Sequence, residues 1–290
     1  RKTSDCADLM QESNKILDVI EREISFARVL GTPVFWSVWL VAINVAFFAI
    51  AFVAGLDRFA TLPMDFTPIQ YVFYTGMKVS EYVAQGQYWR LVTSMFVHLD
   101  FMHIGFNAYG IWTLGPLVEK FYGGRRFLII YMIAGIVGAL GSYLFTTVPS
   151  GGASGAIYGL VGALAVFGFK FRGEIPARVS RSFTTGMAPW IALSIGIGFL
   201  DAIPFDNAAH LGGLFSGGLI AFLMRSELDR TRRKKREKAV LVIFVASILA
   251  MIIPAFFWSV EIGRCIGSAQ EYAACYPERT VPIERKLLEN

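Results

Sequence analysis

The strongest constraint on this chain is where it carries no charge. Seven stretches lack Asp, Glu, Lys and Arg: Val34 to Ala54, Phe101 to Val118, Phe127 to Phe145, Gly152 to Phe169, Met187 to Leu200, Asn207 to Met224 and Ala239 to Val260. Crossing a bilayer takes about 20 apolar residues of helix. Inside hydrocarbon only helices and closed barrels satisfy their own backbone groups. The windows therefore predict an all-α, polytopic transmembrane helix bundle with seven transmembrane helices. The 55% apolar composition, with 25 Phe in 290 residues, is too greasy for a soluble domain of this length.

The fifth run is short for a span. Its apolar window reaches back to Ser182, so it is expected either to start earlier or to tilt in a thinned bilayer. Only Thr146 to Gly151 divides the third and fourth runs, and the Pro, Ser and Gly there mark a turn at membrane depth. The connections after the third and fifth spans are short, so spans three to six should form one compact bundle.

Basic residues set the orientation. Taking the N-terminus and every second loop as one side, that side holds 20 of the 27 Lys and Arg. The positive-inside rule then predicts a cytoplasmic N-terminus. The run Arg230 to Lys238 is read as a topology anchor facing membrane lipid, with no nucleic-acid partner. The expected organisation is a cytoplasmic amphipathic segment over 1–33, a six-helix core over 34–225, a basic linker with the seventh span over 226–260, and an extracytoplasmic tail over 261–290. In the first segment Leu17, Ile20, Ile24 and Ala27 recur at helical spacing, predicting an amphipathic helix. No cleavable signal peptide is expected, because residues 1–30 are charged and the first apolar run is long. Three cysteines make no disulfide framework, and a bridge between Cys265 and Cys275 is left open.

Against this apolar background a few polar residues stand out, since polar groups in hydrocarbon are costly and mark function. Ser154 lies in Gly152-Ala153-Ser154-Gly155 and His210 in Ala209-His210-Leu211-Gly212-Gly213. His103 and Asn107, four apart, share one helical face. Alternate spans run in opposite directions, so the starts of spans two, four and six lie at the outer face. His103 and Asn107, Ser154, and His210 sit near those three starts and so converge at one depth. Gly155, Gly159 and Ala163 repeat every fourth position on span four, and Gly213, Gly217 and Ala221 do so on span six. Such faces allow close helix approach. Packing them together would bring the Ser154 hydroxyl within hydrogen-bond reach of the His210 imidazole.

That pair has a chemistry. A serine hydroxyl is a poor nucleophile until a base takes its proton, and the same imidazole can return the proton to a leaving amine. The oxyanion that forms needs preplaced donors, for which the Ser154 backbone N–H, His103 and Asn107 are candidates. Taken singly, each feature has a plain packing explanation. Other hydrolytic designs are excluded: there is no His-Glu-x-x-His, no Asp within a span, and Ala156 stands where an α/β-hydrolase elbow has its last glycine. No cofactor is expected.

The ordered set of motifs resembles the rhomboid intramembrane serine proteases from about Tyr88 to Met224. It comprises Trp89-Arg90, His103-Ile104-Gly105-Phe106-Asn107, Glu119-Lys120, Gly152-Ala153-Ser154-Gly155 with Tyr158, and Ala209-His210-Leu211-Gly212-Gly213 with Gly217. The resemblance implies Ser154 as nucleophile, His210 as base in a dyad without a third carboxylate, His103 and Asn107 as oxyanion donors, and Tyr158 packed on the His210 ring. It gives structural roles to Trp89 and Arg90 in the first loop and to Glu119 bonded to backbone. It implies substrates that are single-span transmembrane proteins cut within or beside the membrane. Span five and the loop Asp201 to Asp206 would serve as movable gate and cap, and the seventh span is the added helix of a six-plus-one arrangement. The expected location is a bacterial inner membrane, with a secretory-pathway membrane as the alternative. The competing reading is a rhomboid-like pseudoprotease that binds membrane proteins for quality control without cleavage. A transporter would place polar groups at the midplane with a repeat between halves, and neither is seen.

Overall fold

The structure, a computed structural model, describes residues 2–59, 76–199, 205–224 and 226; side chains are described from residue 10 onward and not over 54–59. The seventh apolar window, the basic run, Cys265 and Cys275, and most of the loop before Asp206 lie outside those residues. Among the described residues the chain is helical, with one isolated antiparallel bridge between Lys78 and Ser150.

Helix α1 spans Lys2–Leu30 and α2 spans Trp36–Phe59. In the connection that follows, α3 covers Ser80–Ala84, α4 covers Arg90–Thr93, and a 3-10 turn covers Ser94–Phe96. Then come α5 at Phe101–Tyr122, α6 at Gly124–Phe145, α7 at Ser154–Lys170, α8 at Ala177–Phe183, α9 at Ala188–Ile197 and α10 at Asn207–Leu223. The first six apolar windows thus correspond to α2, α5, α6, α7, α9 and α10. By length and apolarity alone, Trp36–Val53 and Gly124–Phe145 qualify as spans, while α7 and α10 are apolar but shorter.

The fifth window differs from its expected form. It does not extend back as one helix: α8 ends at Phe183 and a ten-residue α9 begins at Ala188. Pro189 explains the restart, because it lies in the first turn of α9, where its missing N–H leaves no bond unmade. The first segment is helical, as expected. Leu17, Ile20, Ile24 and Ala27 are exposed, and the helix docks through Phe26 and Val29. Phe26 stacks on Phe121 at 5.8 Å, and Glu23 pairs with Arg178 at 3.1 Å.

The centre of the bundle is α7. It packs most extensively on α10, then on α6, with α5 against its other side. Small residues make the α7–α10 approach possible: a side-chain carbon at Gly213 would collide with the Gly155 carbonyl, and one at Gly217 with the backbone of Gly159. These two contacts are backbone against backbone, so the fold admits no larger residue there. Aromatic rings close the opposite end, where Phe121 stacks on Phe167 at 4.2 Å.

Polar fastenings hold the remaining parts. The buried Glu119 carboxylate accepts the N–H groups of Phe35 and Trp36 on Oε1 and that of Ser37 on Oε2, each at 2.9 Å, and the Ser37 hydroxyl at 2.8 Å. It thereby satisfies the start of α2, whose N–H groups have no partners in their own helix. Arg90 is buried as well; it donates to the Met77 carbonyl at 2.9 Å and Gln87 Oε1 at 2.7 Å, and its guanidinium lies over the rings of Trp89 and Tyr82.

Candidate active site

Ser154 is the first residue of α7 and follows a turn that only glycine suits, since Gly152 has φ of +104°. Two backbone ties fix that turn against the connection between α2 and α5. The Gly152 N–H donates to the Ser94 carbonyl at 2.8 Å, and Lys78 and Ser150 exchange backbone hydrogen bonds at 2.8 and 2.9 Å. The 17 residues of α7 reach about 26 Å, somewhat less than the roughly 30 Å hydrocarbon thickness.

His210 occupies the first turn of α10. Asp206 caps that helix by accepting the Ala209 N–H on Oδ1 at 3.0 Å. Close packing of α7 on α10 brings His210 Nε2 to 2.9 Å from Ser154 Oγ. The imidazole is only 3% exposed and is held on both sides. Tyr158, one turn into α7, stacks on it at 4.3 Å and 9°, while Phe205 meets it edge-on at 5.8 Å. Trp190 of α9 lies against the outer side of Tyr158 at 5.8 Å.

His103 and Asn107 stand on α5 facing the same turn. The Leu99 N–H lies 3.5 Å from His103 Nδ1, so Nδ1 accepts and Nε2 carries the proton. Asn107 Nδ2 donates to the His103 carbonyl at 2.8 Å with one of its two hydrogens. A side chain at Gly152 would run into His103 Nε2 and come within 3.4 Å of Asn107 Nδ2. The space beside Gly152 is therefore bordered by two side-chain donors, next to the Ser154 hydroxyl.

The structure thus gathers Ser154, His210, His103, Asn107 and Tyr158 in one place, with Gly155, Gly159, Gly213 and Gly217 forming the seam beneath them. Sequence reasoning missed three neighbours. His98 is buried with its ring edge-on to His103 at 5.0 Å and its Nδ1 3.3 Å from the Phe96 carbonyl. Burial, reinforced by the neighbouring His103, pushes its pKa down to about 3, so it stays neutral. Lys78 is wholly buried and donates to the Val148 carbonyl at 2.7 Å; burial lowers its pKa, with Asp206 and Glu81 opposing. Asp206 is the third. The one available signal was scarcity: the chain has three histidines, and His98 lies five residues before His103.

Residues 85–227 match the rhomboid domain family. The chain is 37% identical over 171 residues to the rhomboid protease GluP of Bacillus subtilis (strain 168), covering 59% of this chain and 33% of GluP. Over 187 residues it is 33% identical to YdcA of the same organism, a rhomboid by name, covering 63% of this chain and 89% of YdcA. The rhomboid protease GlpG of Yersinia pestis (strain Pestoides F) is 33% identical over 138 residues, covering 47% of this chain and 48% of GlpG. The chain thus spans about a third of GluP and half of GlpG, but nearly all of YdcA. With its helical bundle, its motifs in order and YdcA matched almost end to end, the chain belongs to the rhomboid family of multi-pass integral membrane proteins.

Proposed function

We propose that this protein is an intramembrane serine endopeptidase that cuts single-span transmembrane proteins within or beside the membrane through a Ser154–His210 dyad. The observation that carries this reading is the 2.9 Å contact between His210 Nε2 and Ser154 Oγ, each in the first turn of its helix. Substrate binding brings a peptide carbonyl to Ser154 Oγ. His210 Nε2 takes the hydroxyl proton as the oxygen attacks, and the tetrahedral oxyanion forms beside Gly152. There the Ser154 N–H, His103 Nε2–H and the second hydrogen of Asn107 Nδ2 are its donors, helped by the positive end of α7. The imidazolium then gives its proton to the departing amine. Water, activated by the same imidazole, hydrolyses the acyl-enzyme and restores the serine.

The apolar surroundings favour the reaction because donors in a low-dielectric site need no reorganisation. Helix α9, which meets the bundle through Trp190 and Ser194 against Tyr158 and through the Asn207 amide against the Ile195 carbonyl at 3.2 Å, is the gate through which a substrate helix enters. The basic-residue asymmetry supports a cytoplasmic N-terminus, which puts the dyad near the outer face. Bacterial relatives such as GluP favour a bacterial inner membrane.

The test is cleavage of a labelled single-span substrate by detergent-purified protein, beside Ser154→Ala and His210→Ala variants shown to be folded. Cleavage by wild type and none by either variant is expected. Cleavage that persists in the variants refutes the dyad. No cleavage by wild type across varied substrates favours a binding-only relative.

A further inference from the structure

For His210 Nε2 to accept the serine proton, the neutral imidazole must carry its hydrogen on Nδ1. That Nδ1 is buried and has no hydrogen-bond partner among the described residues. Leaving a buried donor alone is costly, so an acceptor is called for. Two unpartnered buried acceptors lie in the same turn of α10, Asp206 Oδ2 and Asn207 Oδ1. Asn207 is turned toward α9, with its Nδ2 on the Ile195 carbonyl and its amide beside Gly198. Asp206 is four residues before His210, on the same helical face, and its charge acts on the imidazole.

We propose that Asp206 is a positioning residue for His210, its Oδ2 receiving the imidazole Nδ1–H across one ordered water while its Oδ1 caps α10. A water there accepts from Nδ1–H and donates to the carboxylate, which meets the need of both orphaned groups. The carboxylate fixes the tautomer and stabilises the imidazolium while it holds the serine proton, as the acidic partner does in serine-protease triads. The proton stays on the imidazole. The groups facing this pair are Ser154 and Tyr158 of α7, His103 of α5 and the Lys78 ammonium, while α6 packs there through Val137, Gly138 and Gly141. This inference rests on the proteolytic reading above.

Capping and positioning separate by substitution, because Asn and Ser cap helices about as well as Asp, whereas Ala does not. The experiment compares the full chain with Asp206→Asn, Asp206→Ser and Asp206→Ala by thermal unfolding, by rate of serine labelling with a fluorophosphonate, and by kcat and KM for a labelled transmembrane peptide across pH 5–9. The Asn and Ser variants are expected to unfold at the wild-type temperature and keep KM. Their kcat and labelling rate should fall roughly tenfold to a hundredfold, with the acidic limb of kcat/KM displaced to lower pH, since removing a carboxylate disfavours the imidazolium. Wild-type kcat and pH profile in the Asn and Ser variants, with stability lost only in the Ala variant, would reduce Asp206 to a cap and overturn the inference. A wild-type protein that neither cleaves nor is labelled would overturn the proteolytic reading itself, a result distinct from unchanged labelling in the variants.

Discussion

Helices α7 and α9 lie on either side of the Tyr158–Trp190 contact and could hardly be held more differently. Twelve of the 17 residues of α7 are buried, and it meets α10 backbone to backbone. Helix α9 has no buried residue, and Leu193 and Trp190 are exposed. The proposed reacting groups stand on the tightly packed part, where a displacement of one ångström would cost rate. In the proposed mechanism the more exposed helix is the one a substrate would pass. The contrast shows that one apolar composition gives deeply packed or exposed elements, depending on where small residues let backbones meet.

The sharpest way to break the tightly packed part is Gly217→Val. Its side chain would have to displace the backbone of Gly159, and a loss of about 4 kcal/mol or more is expected. Size-exclusion profiles in detergent should then show little folded protein. Next is Glu119→Gln, which removes the charge that receives four hydrogen bonds at the start of α2. About 2–3 kcal/mol should be lost, seen as a lower unfolding temperature with the dyad chemistry otherwise intact.

A third test uses pH. His98 has an ordinary pKa near 6.5 when unfolded and one depressed to about 3 in the fold. The unfolded chain therefore binds the proton first, and stability present above pH 6.5 is lost as pH falls toward 3. Between pH 7 and pH 5 the contribution is about 2 kcal/mol. Unfolding temperatures at the two values should differ by less in His98→Gln than in wild type. The smallest effect is expected on the exposed side: Leu193→Ala should change stability by no more than about 0.5 kcal/mol. A larger loss would mean that α9 is fastened too, and the contrast with α7 would fall.

Much of the architecture was legible because charge-free windows and helical periodicity are local properties. Six windows correspond to helices, and the glycine stripes mark the seam on which α7 and α10 meet. Periodicity names faces, however, not their partners. It marked Leu17, Ile20, Ile24 and Ala27 as one face of α1 without naming what would cover it, and in the bundle that face is exposed while Phe26 and Val29 dock, with Phe26 on Phe121 and Glu23 on Arg178. His98, Lys78 and Asp206 escaped for a related reason. They lie in connecting segments without a repeat, and their surroundings come from residues as distant in sequence as Val148 is from Lys78. Ser154 and His210 were readable because each opens an apolar run, where a polar group is conspicuous.

Glu119 carries a consequence for how the chain is made. The first three N–H groups it receives belong to residues 35–37, more than 80 positions earlier. While the ribosome is still extending the chain toward residue 119, the leading end of α2 has no carboxylate to answer it and must keep contact with water or lipid headgroups. The first span is therefore threaded before it is locked, and the latch arrives only with the last turn of the next one.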